Sequence, residues 1–292
     1  MINFIKSIGL VASLFLVFAI TANAHGRKEK PMKKGILLVA FGTTIPKAQV
    51  ALDNIYEEVE KAFPNTEIRW AYTSAMIREK LAKQGKHFDA PVVALSKMAD
   101  DGYTHIAVQS LHTIPGEEYD YLVSTVKHSA QIPKGARKLT LGEPLLYAHT
   151  DIEKCVKALE AHFPERKKNE AIILMGHGTH HYANAFYPAL NFYFNQSMDN
   201  VHVGTVEGFP MLDDILPKLK ANKTKKVYLM PFMSVAGDHI VNDMAGDDDS
   251  WKVALEAEGF EVECIIKGTG EMDEVVTIWV DHLKHAFHHL ED

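Results

Sequence analysis

Cysteine is nearly absent from this chain of 292 residues, occurring only as Cys155 and Cys264. Two thiols cannot build the disulfide framework of a small secreted scaffold, and no zinc-finger spacing occurs. A single Cys155–Cys264 bridge stays open, because sequence separation gives no Cα distance to test against bridge geometry. No Gly-x-Gly-x-x-Gly fingerprint and no P-loop lysine motif occur, so nucleotide-driven chemistry lacks its phosphate cradle. A Ser-centred nucleophile elbow is missing too, which removes the ordinary α/β hydrolases. Basic charge is scarce: 31 Lys and Arg face 38 Asp and Glu, for a net charge of −7. No basic cluster with interleaved aromatics appears, and the Lys28–Lys34 and Arg166–Lys168 stretches read as solvated loops, so nucleic acid is not an expected partner. Asp247-Asp248-Asp249 lacks the alternate-residue spacing and distal glutamate of a calcium loop and reads as helix N-capping before Trp251.

Long apolar runs are also missing, except at the start. Lys6 supplies a positive n-region, Ile8 to Ile20 is nearly unbroken apolar sequence, and Ala22-Asn23-Ala24 is a small-x-small cleavage signature. The run is short for a membrane span of about 20 residues. Residues 1–24 are therefore expected to be a cleavable signal peptide, and 25–34 a polar segment. The mature protein is expected in the periplasm with no membrane span, and no cysteine near the cut suggests a lipid anchor. Losing Lys6 with the leader makes the mature chain one unit more negative.

Past residue 34, apolar runs of strand length alternate with segments of helical periodicity, the pattern of an α/β protein with parallel sheets. Strands are expected at 35–41, 68–72, 106–109, 138–141, 171–175, 201–206, 227–230 and 262–266. Helices are expected at 45–62, 75–84, 90–100, 117–129, 150–162, 182–196, 211–220, 249–258 and 272–289. These divide into two Rossmann-like α/β domains, 35–147 and 148–292, related by internal duplication. Setting Gly42 on Gly178 puts Phe41 at the position of His177. Ser74 then runs opposite Glu207, and with Gly116 on Gly237, Glu118 falls opposite His239.

Only the second copy carries the full set His177, Glu207 and His239, each just past an expected strand. In a parallel sheet the C-terminal strand ends gather on one edge, where ligands bind. Two imidazoles and a carboxylate converging there suit a divalent first-row metal with open coordination positions. A histidine needed merely to close the turn would be needed in the first copy as well, where Phe41 stands. Gly42 and Gly178 serve the tight turn itself. Thr43, Thr44 and Thr179 are either hydroxyl donors to a ligand or N-caps. His112, in Gln109-Ser110-Leu111-His112-Thr113-Ile114-Pro115-Gly116-Glu117-Glu118, either contacts substrate and handles protons or is a loop histidine. His180 and His181 read as rim residues. His282, His285 and His289 share one face of the last helix, either a solvated surface or a metal-loading face.

Leu174-Met175-Gly176-His177-Gly178-Thr179, Gly204-Thr205-Val206-Glu207-Gly208 and Gly237-Asp238-His239, with Leu37 to Thr43 and Ser110 to Glu118, resemble the anaerobic sirohydrochlorin cobaltochelatases, relatives of ferrochelatase. The resemblance covers essentially the whole mature chain. It implies the two-domain class II chelatase fold and ATP-independent insertion of Co²⁺ into a tetrapyrrole of the cobalamin pathway, Fe²⁺ or Ni²⁺ being alternative metals. His177, Glu207 and His239 would bind the metal and serve catalysis. Phe41, Gly42, Thr43, Ser110 and His112 would face the substrate. The resemblance also implies a homo-oligomer. Because cobalamin precursors are made inside the cell and exported relatives are linked to haem, the leader implies an alternative: a periplasmic haem or metal binding and transport protein on the same fold.

Overall fold

The computed structural model describes residues 31–292, so the expected signal peptide and residues 25–30 of the polar segment lie outside it. The chain from Pro31 to Asp292 forms one compact unit. Its first half runs β1 (Lys34–Ala40), α1 (Gln49–Ala62), β2 (Glu67–Tyr72), α2 (Ala75–Ala82), α3 (Pro91–Asp100), β3 (His105–Ser110), α4 (Glu117–Ser129) and β4 (Lys138–Gly142). The second half runs α5 (His149–Glu160), β5 (Glu170–Gly176), α6 (Phe186–Ser197), β6 (Val201–Thr205), α7 (Leu212–Ala221), β7 (Lys226–Pro231), α8 (Trp251–Ala257), β8 (Glu261–Cys264) and α9 (Asp273–His288). All pairings are parallel, in the orders β2-β1-β3-β4 and β6-β5-β7-β8. The two parallel sheets bear out the expected fold class, and their strand orders are equivalent.

The central strands read as unbroken apolar runs because both of their faces are covered. On β1, Ile36, Leu38 and Ala40 pack into one core while Leu37 and Val39 pack into another with α3 and α4. On β5, Ile172 and Leu174 join that first core, and Ala171, Ile173 and Met175 pack with α7 and α8. The shared core therefore lies between the two sheets and is filled by α1, α5, α6 and α9. One helix packs across the two halves. Helix α9, at the end of the second half, packs on β3, β4, α1 and α5. Helix α5 packs against α6 and α9, and one face of β3 and β4 is covered by α9.

Other differences are local. Phe41 lies outside β1, and Ile265 and Ile266 outside β8. Short 3₁₀ turns at Pro46–Ala48 and Tyr182–Ala185 precede α1 and α6, where single helices are expected from the sequence. The cap of α8 is Ser250, whose Oγ accepts from Val253 N at 3.2 Å. The aspartates Asp247 to Asp249 therefore do not cap that helix, because the serine stands next to its first residue. Both cysteines are free, Cys155 buried in the shared core and Cys264 against the outer one. Among the described residues, no helix is long and apolar enough to cross a membrane.

Candidate metal centre

His177 sits one residue past β5, in a turn that only glycine can follow. Gly178 has φ +82°, and a Cβ built on it would meet Gly208 N at 2.5 Å. The β5–β6 ladder continues beyond both strands, Val206 N donating to Gly176 O (3.1 Å) and Glu207 N to His177 O (2.8 Å). Glu207 is thus held beside His177 by backbone bonds. Thr205 folds the loop after it, its N and Oγ1 both donating to Pro210 O at 2.7 and 3.0 Å. Asn184 ties the two turns together: its Oδ1 accepts from Thr179 N (3.2 Å) and its Nδ2 donates to Phe209 O (2.7 Å).

His239 arrives from the loop after β7. That loop is fastened from the far side by Thr269, whose N and Oγ1 donate to Met233 O, and by Gly270 N donating to Ser234 O. His239 leads into a π-helical turn, Ile240–Met244, whose Ile240 and Met244 are fully buried. This turn sets Asp243 Oδ2 2.5 Å from His239 Nδ1.

The three side chains each offer one ligand atom, and these atoms lie within 4.8 Å of one another. Among the described residues this is the only such group of three. The two imidazole centroids are 4.6 Å apart with planes at 85°, and His177 Nδ1 is 3.9 Å from Glu207 Oε2. Partner chemistry fixes the tautomers. His177 Nδ1 lies 2.9 Å from Gly178 O, and a carbonyl only accepts, so Nδ1 carries the proton. Asp243 imposes the same on His239. Both Nε2 lone pairs are thereby left for an ion, the usual arrangement around metal-ligating histidine. Side-chain exposures of 44%, 57% and 37% for His177, Glu207 and His239 leave the group open to solvent.

The first-half residues take different roles. Phe41, the counterpart of His177, is 44% exposed. Gly42 has φ +96°, and a Cβ there would meet the Tyr72 ring at 2.6 Å. Thr43 is buried, and its Oγ1 accepts from Ile45 N at 3.1 Å, which is turn capping. The same Oγ1 would lie 3.8 Å from a Cβ on Gly237, so Thr43 adjoins the His239 loop. Ser110 is fully buried and its Oγ is 2.9 Å from His112 Nδ1. His112 does not join the triplet. Its carbonyl accepts from Leu145 N and Trp279 Nε1, and its buried Nε2 has no hydrogen-bond partner. Burial pulls its pKa down to about 4, so the ring is neutral near pH 7. His181 spans from the second half to the first: Nδ1 accepts from Ala183 N, and Nε2 lies 3.3 Å from Asp120 Oδ2 on α4. Ser74, opposite Glu207 in the duplication, caps α2 through Ile77 N at 3.3 Å.

Asp243 and Asn184 are the positioning residues that sequence reasoning missed. The only signal for Asp243 was its spacing of four from His239, and no regular helix was expected there.

Comparison with known proteins agrees with this architecture. The family described as "Cobalt chelatase (CbiK)" matches residues 34–288. A sirohydrochlorin cobaltochelatase, CbiKC, of Nitratidesulfovibrio vulgaris is 44% identical over 262 residues, covering 89% of this chain and 93% of that protein. The sirohydrochlorin cobaltochelatase of Salmonella typhimurium is 38% identical, covering 87% and 97%. Among solved structures, SirB from Bacillus subtilis with Fe³⁺ superposes with a TM-score of 0.61 at 15% identity, covering 89% of this chain and 98% of SirB, which speaks to the fold. The chain belongs to the CbiK cobalt chelatase family.

Proposed function

We propose that this protein is a sirohydrochlorin cobaltochelatase that inserts Co²⁺ into the tetrapyrrole without ATP. The observation that carries the reading is the convergence of His177, Glu207 and His239 past the strand ends of the second sheet. Relatives named for that activity support it over most of the chain. Co²⁺ is here a substrate, held by the two Nε2 atoms and the Glu207 carboxylate with its remaining positions open. Three protein ligands bind it tightly enough to strip part of its water and loosely enough to release it. As the ion enters the ring, two pyrrole N–H protons leave, balancing its charge. Glu207 and the vacated imidazoles are the bases nearest that event. The exposed Phe41 and Phe209 flank the site and suit the macrocycle face, while turn amides and hydroxyls suit its carboxylate rim.

Fe²⁺ and Ni²⁺ fit the same donor set as alternative substrates. Export through residues 1–24, a homo-oligomeric state and separate evolution of the two halves from one duplicated unit belong to this reading too. The leader also supports a second reading, a periplasmic haem or metal carrier on the same fold. The deciding experiment mixes purified mature protein with sirohydrochlorin and Co²⁺ and follows the absorbance, beside His177→Ala and a protein-free control. Acceleration that disappears in the variant is expected. No acceleration by folded protein rejects the chelatase, and uptake of added haem by that protein then selects the carrier.

A further inference from the structure

The last turn of α9 carries a second group of imidazoles. His285 and His289 are one turn apart on the helix, and their Nε2 atoms stand 3.2 Å from one another, with ring planes at 88°. Asp292 Oδ2 lies 2.5 Å from His289 Nδ1. That carboxylate keeps the proton on Nδ1 and leaves the Nε2 lone pair outward, as an acceptor does behind a metal-bound histidine. Two nitrogens bound to one ion at about 2.0–2.1 Å are separated by about 2.8–3.4 Å when the angle at the metal lies between square and tetrahedral. The observed separation falls inside that interval. Both rings are exposed, and the negative end of the helix dipole adds attraction for a cation.

The place of this pair in the fold separates it from the centre already described. Lys34, at the start of β1, pairs with Glu291, while Thr43, past the end of β1, adjoins the loop carrying His239. The seven residues of β1 span about 23 Å, so one ion cannot serve both places.

We infer that His285 and His289 form a second, surface site for a divalent first-row transition ion. Their Nε2 atoms are its two protein ligands, Asp292 orients His289, and water completes the coordination. The proton between the two Nε2 atoms must leave or move to His285 Nδ1 when the ion binds. Imidazole donors select Cu²⁺, Ni²⁺, Co²⁺ or Zn²⁺ over Mg²⁺ and Ca²⁺, with Cu²⁺ bound most tightly. His288, whose ring is 6.0 Å from that of His289, is not a ligand.

The test is calorimetric titration of the full mature chain with Ni²⁺ in a His177→Ala/His239→Ala background, which removes the first centre. Adding His285→Gln/His289→Gln is expected to lower the stoichiometry by one ion per chain. His285→Gln alone is expected to weaken that ion at least tenfold, and His288→Gln to leave it unchanged. An unchanged stoichiometry without His285 and His289 would overturn the assignment, as would equal loss in His288→Gln. Circular dichroism of each variant confirms folding, which these exposed positions do not threaten.

Discussion

At the scale of single residues, the chemistry depends on which nitrogen of each imidazole is free. Gly178 O and Asp243 occupy the Nδ1 positions of His177 and His239, behind the candidate ligand atoms rather than among them. Asp243→Asn keeps the size and loses the charge, and it is expected to lower Co²⁺ insertion by about 10–100-fold. The check is steady-state kinetics with Co²⁺ varied, beside a melting curve that stays unchanged. Two other histidines are expected to contribute to acid sensitivity. His112 and His202 are each pulled by burial to a pKa of about 4, and each has one ring nitrogen without a partner. Their folded pKa lies below the unfolded value of about 6.5, so below that pH the unfolded chain binds more protons than the folded one. Stability is therefore present above pH 6.5 and is lost as the pH falls toward 4, by up to about 3 kcal/mol for each group. Replacing His202 by Gln is expected to flatten that limb in urea titrations between pH 7 and pH 4, and an unchanged slope would reject the account.

At the scale of elements, the duplicated turns separate architecture from function. Ser74 and Glu207 each stand two residues past the second strand of their half. Ser74 caps a helix, whereas Glu207 is exposed and joins the metal group. Losing the cap in Ser74→Ala is expected to cost about 1 kcal/mol of stability and to leave Co²⁺ binding intact. The reverse is expected of Glu207→Ala, which loses insertion with a stability change within about 0.5 kcal/mol. Chemical denaturation and a cobalt titration on both variants check the pair of outcomes together. The π-helical turn after His239 has no counterpart in the first half, where Glu118 instead lies in the first turn of α4.

At the scale of the whole molecule, α9 joins the halves. Trp279 is 1% exposed and donates to His112 O, so one residue links α9 to the loop after β3. Trp279→Ala is expected to cost about 3–5 kcal/mol, read as a lower midpoint in guanidinium. A fragment of residues 31–147 leaves one face of β3 and β4 without its helix, and it is expected to show no cooperative unfolding by circular dichroism. The strands, the glycine turns and the three residues at the strand ends were legible in the sequence. Continuous apolar runs mark strands covered on both faces, positive φ demands glycine, and parallel topology brings strand ends to one edge whatever the other contacts are. The packing of α9 on the first sheet was not legible, because which sheet a helix covers depends on a partner more than a hundred residues away. The roles of Asp243, Asn184 and Asp292, the burial of His112 and the separation of His285 and His289 from the first centre were likewise decided by tertiary structure. Each depends on contacts or an irregular turn that carry no periodic signature along the chain.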